Sequence, residues 1–167
     1  MPRYEAGTLT IGRVVASQAR RNPSATCQAI EVVDRFNFKV TYAGECHDSL
    51  MMNGCGGGLW PDGSHYEGEW KRGRREGYGV FHTSDGSRYA GEWINDEYSG
   101  HGVLVHANQD RFEGRFQAGK AHGYGLRLNG TASIAGRFVR DRGVGTCVIT
   151  QADGSQLDVP YQVSLVC

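Results

Sequence analysis

The chain has 167 residues, with 18 basic and 18 acidic side chains, so its formal net charge at pH 7 is zero. That balance argues against a nucleic-acid-binding domain, which would be clearly basic. No apolar run approaches 18 residues, so no membrane-spanning helix is predicted. Glycine is the unusual residue: its 25 copies are about twice the usual share of roughly 7%. The length fits about one domain.

The first 41 residues are distinct from the rest of the chain because they lack its periodic pattern. Strand-like pieces occur at residues 8–11 and 29–33, and residues 20–24 form a predicted loop. Strict alternation of Phe36, Phe38, Val40 and Tyr42 predicts a strand that leads into the periodic region. We interpret residues 1–41 as a β-rich cap over an open sheet edge. The alternative is a flexible tail that becomes ordered on a partner.

The cysteines and the chain start bear on the compartment. No two cysteines form a Cys-x-x-Cys pair, so we expect reduced thiols, no metal site and no cofactor. The first residues lack the apolar core of a signal peptide, which favours a cytoplasmic protein. The five cysteines are Cys27, Cys46, Cys55, Cys147 and Cys167.

From residue 42 onward one short pattern returns every 22 to 24 residues. An aromatic or apolar residue is followed two positions later by glycine, and two positions after that by another large apolar residue or cysteine. A fixed period of 20–50 residues indicates a repeat architecture. The five copies begin at Tyr42, Tyr66, Tyr89, Phe112 and Ile134, a partial sixth begins near residue 157, and a tail covers residues 162–167.

Each copy is predicted to form one β-hairpin. Its first, third and fifth residues face one side of a strand, and a later glycine pair such as Gly77 and Gly79 lines one face of a second strand. We expect the ring of a neighbouring copy to lie over that bare backbone. An Asp-Gly or related pair then predicts a type I′ turn. The fold class is therefore all-β: an elongated single antiparallel sheet of about ten strands. The predicted turns lie at residues 62–63, 85–86, 108–109, 129–130 and 153–154.

The pattern resembles the MORN (membrane occupation and recognition nexus) repeat family. In the copy at residue 89, Asp96 replaces the middle glycine, and the outer copies lose their tryptophan. The resemblance covers about residues 42–161. It implies a scaffold without enzymatic activity, associated with a cytoskeletal, flagellar or axonemal assembly or with contacts near membranes. The residues that carry it are Tyr66-x-Gly68-x-Trp70, Gly73, Gly77-x-Gly79 and Asp85-Gly86.

The expected activity is binding of a protein partner, or self-association, through the aromatic and glycine face. Tyrosine and tryptophan are favoured interface anchors. The predicted exposed anchors on that face are Tyr66, Trp70, Tyr89, Trp93, Phe112 and Phe116. Residues between the paired glycines form a second predicted row on the opposite face, composed of Cys55, Tyr78, His101 and Tyr124.

Several alternatives remain open from the sequence. A basic loop, Lys71, Arg72, Arg74 and Arg75, predicts contact with phosphoinositides or other anionic lipid, or simply a solvated turn. The chain could also be the accessory subunit of a separate enzyme. The glycine run at residues 54–58 lacks the Gly-Lys-Ser/Thr of a phosphate loop, and no constellation predicts catalysis.

The fourth position of each copy carries a charge pattern. It is glutamate in the first three copies and arginine in the last two, so the polar row changes sign along the sheet. Such a row suits pairing with a complementary rod or a polar partner. It equally suits charge balancing between neighbouring strands. The row is Glu45, Glu69, Glu92, Arg115 and Arg137.

Overall fold

A computed structural model describes residues 25–34, 37–47, 51–130 and 132–161. Within these ranges the protein is all-β and contains twelve strands and no helix. The strands are β1 (Ala25–Val33), β2 (Lys39–His47), β3 (Met51–Leu59), β4 (His65–Lys71), β5 (Arg74–His82), β6 (Arg88–Ile94), β7 (Glu97–Val105), β8 (Arg111–Gln117), β9 (Lys120–Asn129), β10 (Ala132–Val139), β11 (Arg142–Thr150) and β12 (Gln156–Pro160).

The strands form one open antiparallel sheet in which each pairs with its neighbours in the sequence. The order runs from β1 to β12 without a crossover, so the predicted single sheet of tandem hairpins is confirmed. At about 4.8 Å between neighbouring strands, twelve strands extend about 53 Å. Because no second layer covers this sheet in the described ranges, its stability depends on each hairpin packing against the next.

Two kinds of turn alternate along the sheet, and the type I′ prediction for the Asp-Gly pairs is wrong. At residues 60–64, Gly63 has a positive φ of 89° but Asp62 does not, and the Gly63 N–H donates to Trp60 O at 3.0 Å. A type I′ turn requires positive φ at both central residues. That condition is met in the turns that join the other ends of the strands, at residues 72–73, 95–96, 118–119 and 140–141.

A continuous row of glycines crosses the sheet from β2 to β10. The Tyr66 ring lies on this row, because a methyl group at Gly68 or Gly79 would overlap its phenol. Both glycines belong to the same copy as the ring, so the expectation of a ring from a neighbouring copy is wrong for tyrosine. Trp70 does reach back, donating its Nε1–H to Gly56 O of the preceding copy at 2.9 Å. The paired glycines are Gly44, Gly56, Gly68, Gly79, Gly91, Gly102, Gly114, Gly125 and Gly136.

Each hairpin also contains a bulge at a left-handed glycine. Between β4 and β5 the register shifts between Gly68 and Trp70, and Gly77 lies opposite the shift with a φ of 65°. The Glu69 carboxylate covers Gly77 and accepts the Tyr78 N–H at 2.9 Å. Bulges bend a strand and increase its twist. The first glycine of each predicted pair therefore shapes the strand locally and does not lie in the glycine row.

The hydrophobic core lies on the face that carries the rings, which we call the inner face. Tyr66, Tyr89 and Trp93 are among its largest buried side chains. Trp93 packs edge-to-face against Tyr66 at 5.2 Å and Tyr89 at 5.2 Å between ring centroids. Aromatic pairs in this geometry add about 0.5–1.5 kcal/mol beyond their buried area. A single layer of sheet thus builds its core from rings that cover one another.

The structure also bears on the predictions for the chain ends and the cysteines. β1 contains the predicted strand at 29–33 and pairs with β2. Predicted features at 8–11, at 20–24, at Phe36 and beyond residue 161 lie outside the described residues, and the cap stays a prediction. Cys46 is disulfide-bonded, so the expectation of a reduced thiol is wrong there. No helix in the described ranges has the length and apolar character needed to cross a membrane.

Candidate binding surfaces

The six aromatic side chains predicted as exposed anchors are all buried, so that prediction of exposure is wrong. Trp93 is 1% exposed, and its indole N–H donates to Gly79 O at 3.2 Å. A ring enclosed by neighbouring rings and bonded to the backbone cannot anchor a partner without unfolding its own hairpin. The six buried residues are Tyr66, Trp70, Tyr89, Trp93, Phe112 and Phe116.

The opposite face, which we call the outer face, presents the second predicted row to solvent. Tyr78 is 66% exposed and Tyr124 is 77% exposed, and His101 between them is also exposed. The remaining tyrosines of the described ranges are buried or half-buried. Three side chains on alternate hairpin strands are about 9.6 Å apart, because two strand spacings separate them. We call Tyr78, His101 and Tyr124 the outer row.

The charged fourth positions sit beside the outer row and have local partners. Glu92 accepts the His101 N–H at 2.8 Å, as Glu69 does for Tyr78. Arg115 donates its Nε–H to His101 Nε2 at 3.3 Å. The two glutamates therefore complete the bulge hydrogen bonding, a role that neither sequence interpretation anticipated. Because the charge at the fourth position changes sign along the sheet, the surface beside Tyr78 is acidic and the surface beside Tyr124 is basic.

The basic loop is divided between the two faces. Arg74 points to Asn95, donating to its Oδ1 at 2.9 Å. Arg75 turns to the inner face, where its side chain is 14% exposed and pairs with Asp96 at 3.2 Å. Successive side chains of a strand alternate between faces, which separates these two arginines. The prediction that Arg75 faces a lipid surface is therefore wrong, whereas Lys71, Arg72 and Arg74 remain exposed.

Arg75 lies inside an aromatic cluster that the sequence analysis did not identify. Its guanidinium is 4.3 Å from the centroid of Trp93 and 4.8 Å from that of Phe81. Burial lowers the pKa of Arg75, and the Asp96 carboxylate opposes that effect and keeps the guanidinium charged. The sequence analysis placed Arg74 and Arg75 in a loop, but both lie in strand β5, whose alternation could have put Arg75 on the inner face.

Beside this cluster an open pocket of about 390 Å³ lies at the junction of the first two hairpins, which we call the junction pocket. Trp60 stacks on Trp70 with centroids 6.4 Å apart and meets Phe81 edge-on at 5.6 Å. Phe38 is 59% exposed at the rim. The described lining residues are Asp34, Phe38, Trp60, Pro61, Asp62, Ser64, Trp70, Gly73, Arg75, Phe81 and Asp96.

Within the described ranges, no group of three potential metal-ligating His, Cys, Asp or Glu residues occurs. The glycine run at residues 54–58 lies within strand β3 rather than in a phosphate-binding loop. His65 and His82 form a stacked cross-strand pair 4.5 Å apart. Burial, and next the charge of His65, lower the pKa of His82.

The structure defines an open, single-sheet β-hairpin repeat protein whose exposed surfaces suit binding. The MORN repeat family model matches residues 66–88, 89–111 and 112–128. Residues 66–128 therefore match the MORN repeat family as three consecutive repeats. MORN repeats are generally non-enzymatic modules that interact with proteins or membranes.

Comparisons with individual proteins add little. No curated protein matches the chain. Among solved structures, one similar chain is the SAS-4 (dCPAP) TCP domain of Drosophila melanogaster, in complex with a proline-rich motif of Ana2 (dSTIL). It is 11% identical, the match covers 95% of this chain and 97% of that one, and the TM-score is 0.32. At that TM-score the similarity supports no argument about fold or function.

Proposed function

We propose that this protein is a non-enzymatic protein-interaction scaffold that binds its partner through the outer row. Support comes from the exposure of Tyr78 and Tyr124 on a sheet whose other described tyrosines are buried or half-buried. Large exposed aromatic side chains on a rigid surface are favoured interface anchors, because few rotamers are lost on binding. The inner rings contribute by holding the sheet in one shape.

The geometry of the outer row indicates how a partner would engage it. Its three side chains extend over about 19 Å of the sheet. Charge differs along that length, with Glu92 near one end and Arg115 and Arg137 near the other. A partner with apolar residues at matching intervals and charges of opposite order would fit in one orientation. Complementary charge mainly sets the orientation and the association rate.

The test is quantitative partner capture from the native cell with the double variant Y78A/Y124A. We expect partners of the wild-type chain to be lost, because truncating an anchor typically costs 2 kcal/mol or more. Leu157→Ala is the matched control, since Leu157 is also an exposed apolar side chain but lies on β12. Retention of every partner by a folded Y78A/Y124A variant would refute the proposal.

Membrane binding is the second candidate, supported by three exposed cations on one turn. Lys71, Arg72 and Arg74 together offer about 3 kcal/mol to an anionic surface, at roughly 1 kcal/mol each. That is a weak anchor by itself. Co-sedimentation with phosphoinositide vesicles, compared between the wild type and K71E/R72E, tests it. Loss of binding in the variant favours the lipid function, and absence of binding by the wild type removes it.

The wider setting is also a proposal. We place the scaffold in a cytoplasmic cytoskeletal or flagellar assembly, on the family resemblance alone, and a separate enzyme could be among its partners. The disulfide at Cys46 argues against a cytoplasmic location, because cytosolic thiols are normally kept reduced. Alkylation of protein from the native cell, without prior reduction, distinguishes the two. A modified Cys46 favours the cytoplasm, and an unmodified one favours an oxidising compartment.

A further inference from the structure

The outer row and its charged neighbours are self-complementary about the central histidine. Tyr78 and Tyr124 lie on β5 and β9, so each is about 9.6 Å from His101 on β7. Glu92 on β6 and Arg115 on β8 flank His101 at about 4.8 Å. Reversing the order of the strands about β7 therefore exchanges tyrosine with tyrosine and glutamate with arginine. The cross-strand pairs that align this row are Tyr78 with Glu92, His101 with Arg115, and Tyr124 with Arg137.

The same symmetry extends to the next strands and to a second line of side chains. Glu69 on β4 and Arg137 on β10 are each about 14 Å from β7, so they also exchange. Val80, Val103 and Leu126 follow the outer row by two residues on β5, β7 and β9, and all three are half-buried. They lie on the outer face because alternate residues of a strand share a face. An apolar line thus runs beside the charged row and has the same symmetry.

The four charged side chains keep the capacity to bind another molecule. Within the described ranges, none of Glu69, Glu92, Arg115 and Arg137 forms an ion pair. Each glutamate accepts a backbone N–H through Oε1, and its second carboxylate oxygen is a further acceptor. Arg115 donates its Nε–H to His101, and four of the five N–H donors of a guanidinium remain. Local hydrogen bonds therefore position these side chains without neutralising their charge.

We propose that a second copy of this chain covers the outer face, in an antiparallel dimer whose two-fold axis runs along β7. This inference rests on the proposed function of the outer row and names its partner. Glu92 would face the partner's Arg115, and Glu69 would face the partner's Arg137, so each ion pair forms twice. A shift of one hairpin would place like charges opposite each other, and such contacts are costly. The charge order therefore favours one register.

The dimer would bury both exposed tyrosines over an area that suits a specific interface. Tyr78 is 66% exposed and would pack against the partner's Tyr124, which is 77% exposed, while the two copies of His101 meet on the axis. Seven strands and three lines of side chains cover about 34 Å by 20 Å. Two such faces bury about 1,400 Å² in total, within the usual range of about 1,200–2,000 Å². The dimer would also give this single-layer sheet the second layer that most domains have.

The third line of side chains contains a like-charge contact that the dimer has to accommodate. Arg88 and Arg111 both lie opposite Val105, so the axis would place Arg88 against the partner's Arg111. Arg111 donates to Glu113 of its own chain at 2.6 Å. Glu113 would also lie beside the partner's Arg88, so one carboxylate is near both guanidinium groups.

Sedimentation equilibrium of the full chain measures the dimer. We expect a concentration-dependent dimer that Y78A/Y124A weakens at least about tenfold. Leu157→Ala, on β12 and outside the row, should leave the dimer unchanged. A wild-type Kd weaker than about 1 mM, or a dimer that Y78A/Y124A leaves intact, would overturn this inference. A monomeric wild type would leave the outer row available to a different protein, and partner capture with Y78A/Y124A tests that function separately.

Charge exchange tests the orientation of the two copies. Glu92→Arg and Arg115→Glu each create like-charge contacts in their own dimers, so each variant alone should dimerise at least about tenfold more weakly than the wild type. An equimolar mixture of the two should recover the wild-type Kd within about threefold, because both contacts then join opposite charges. Folded copies of the repeat carry either residue type at this position, so the hairpins tolerate both changes.

A second pair of variants keeps the test decisive if either of the first two is unfolded by urea more easily than the wild type. Glu69→Arg and Arg137→Glu make the same exchange about 14 Å from the axis, with the same expected loss and recovery. Full dimerisation by every single variant, or no recovery in either mixture, would overturn the antiparallel arrangement.

Discussion

Replacing Trp93 by alanine separates a core role from an interface role. The side chain is 1% exposed, contacts Tyr66 and Tyr89 edge-on, and lies under the Arg75 guanidinium. Removing a buried tryptophan typically costs 3–5 kcal/mol. We expect a loss of that size in the free energy of unfolding, because no second layer within the described ranges can collapse into the space. An exposed anchor would cost less than about 0.5 kcal/mol of stability.

Thermal and urea unfolding at neutral pH measure this loss. For a chain of this length each kcal/mol lowers Tm by about 2–4 °C, so the expected decrease is about 6–20 °C. Tyr78→Ala is the matched control, since it removes an aromatic side chain that is 66% exposed, and its Tm should stay within about 2 °C of the wild type. A W93A variant with wild-type stability and weakened partner binding would refute the assignment of the inner rings to the core.

Three further predictions concern glycine packing, thiol chemistry and pH. Gly79→Ala should lower the free energy of unfolding in urea by about 1–3 kcal/mol, because its methyl group would overlap a tyrosine ring. Gly57→Ala is the control and should be neutral or stabilising, because only one backbone atom lies near its methyl group, at 3.7 Å. Equal losses in the two variants would contradict the glycine row. Iodoacetamide followed by mass spectrometry should modify exposed Cys55 well before Cys147, whose pKa is raised by burial, and the reverse order would contradict the burial of Cys147. Burial raises the pKa of Tyr42 from 10.0 to about 12, so the stability it contributes is fully present below pH 10 and is lost between about pH 10 and 12. Urea midpoints of the wild type and of the control Tyr42→Phe, measured across that range, test this linkage. If the midpoint of the control falls with pH as steeply as that of the wild type, the pH dependence belongs to other groups.

The sequence was sufficient to predict the sheet because its signal is repeated. The positions of the large apolar residues, the glycine spacing and the turn pairs recur from copy to copy, and that recurrence predicts tandem hairpins in one antiparallel sheet. The outer row was also predictable, since residues that alternate with paired glycines must lie on the opposite face. Tyr78 and Tyr124 are indeed exposed on that face.

Burial of the rings could not be read from the same pattern. Alternation shows that Tyr66 and Trp70 share a face, but it does not show whether neighbouring rings close over that face. Closure depends on contacts between copies, such as the edge-to-face pair of Tyr66 and Trp93, and on bulges at left-handed residues such as Gly77. Gly77 reads in sequence as an ordinary strand position. Contacts of Arg75 with Trp93 and Asp96 likewise cross between hairpins and have no local signature.

Site-specific photo-crosslinking tests most directly the central claim that partners bind the outer face while the inner face is core. Benzoylphenylalanine is placed either at position 101, on the outer row, or at position 104, where Leu104 packs against the buried inner rings. The account expects partner adducts from position 101 and none from position 104 in folded protein. Adducts from position 104 alone would contradict it.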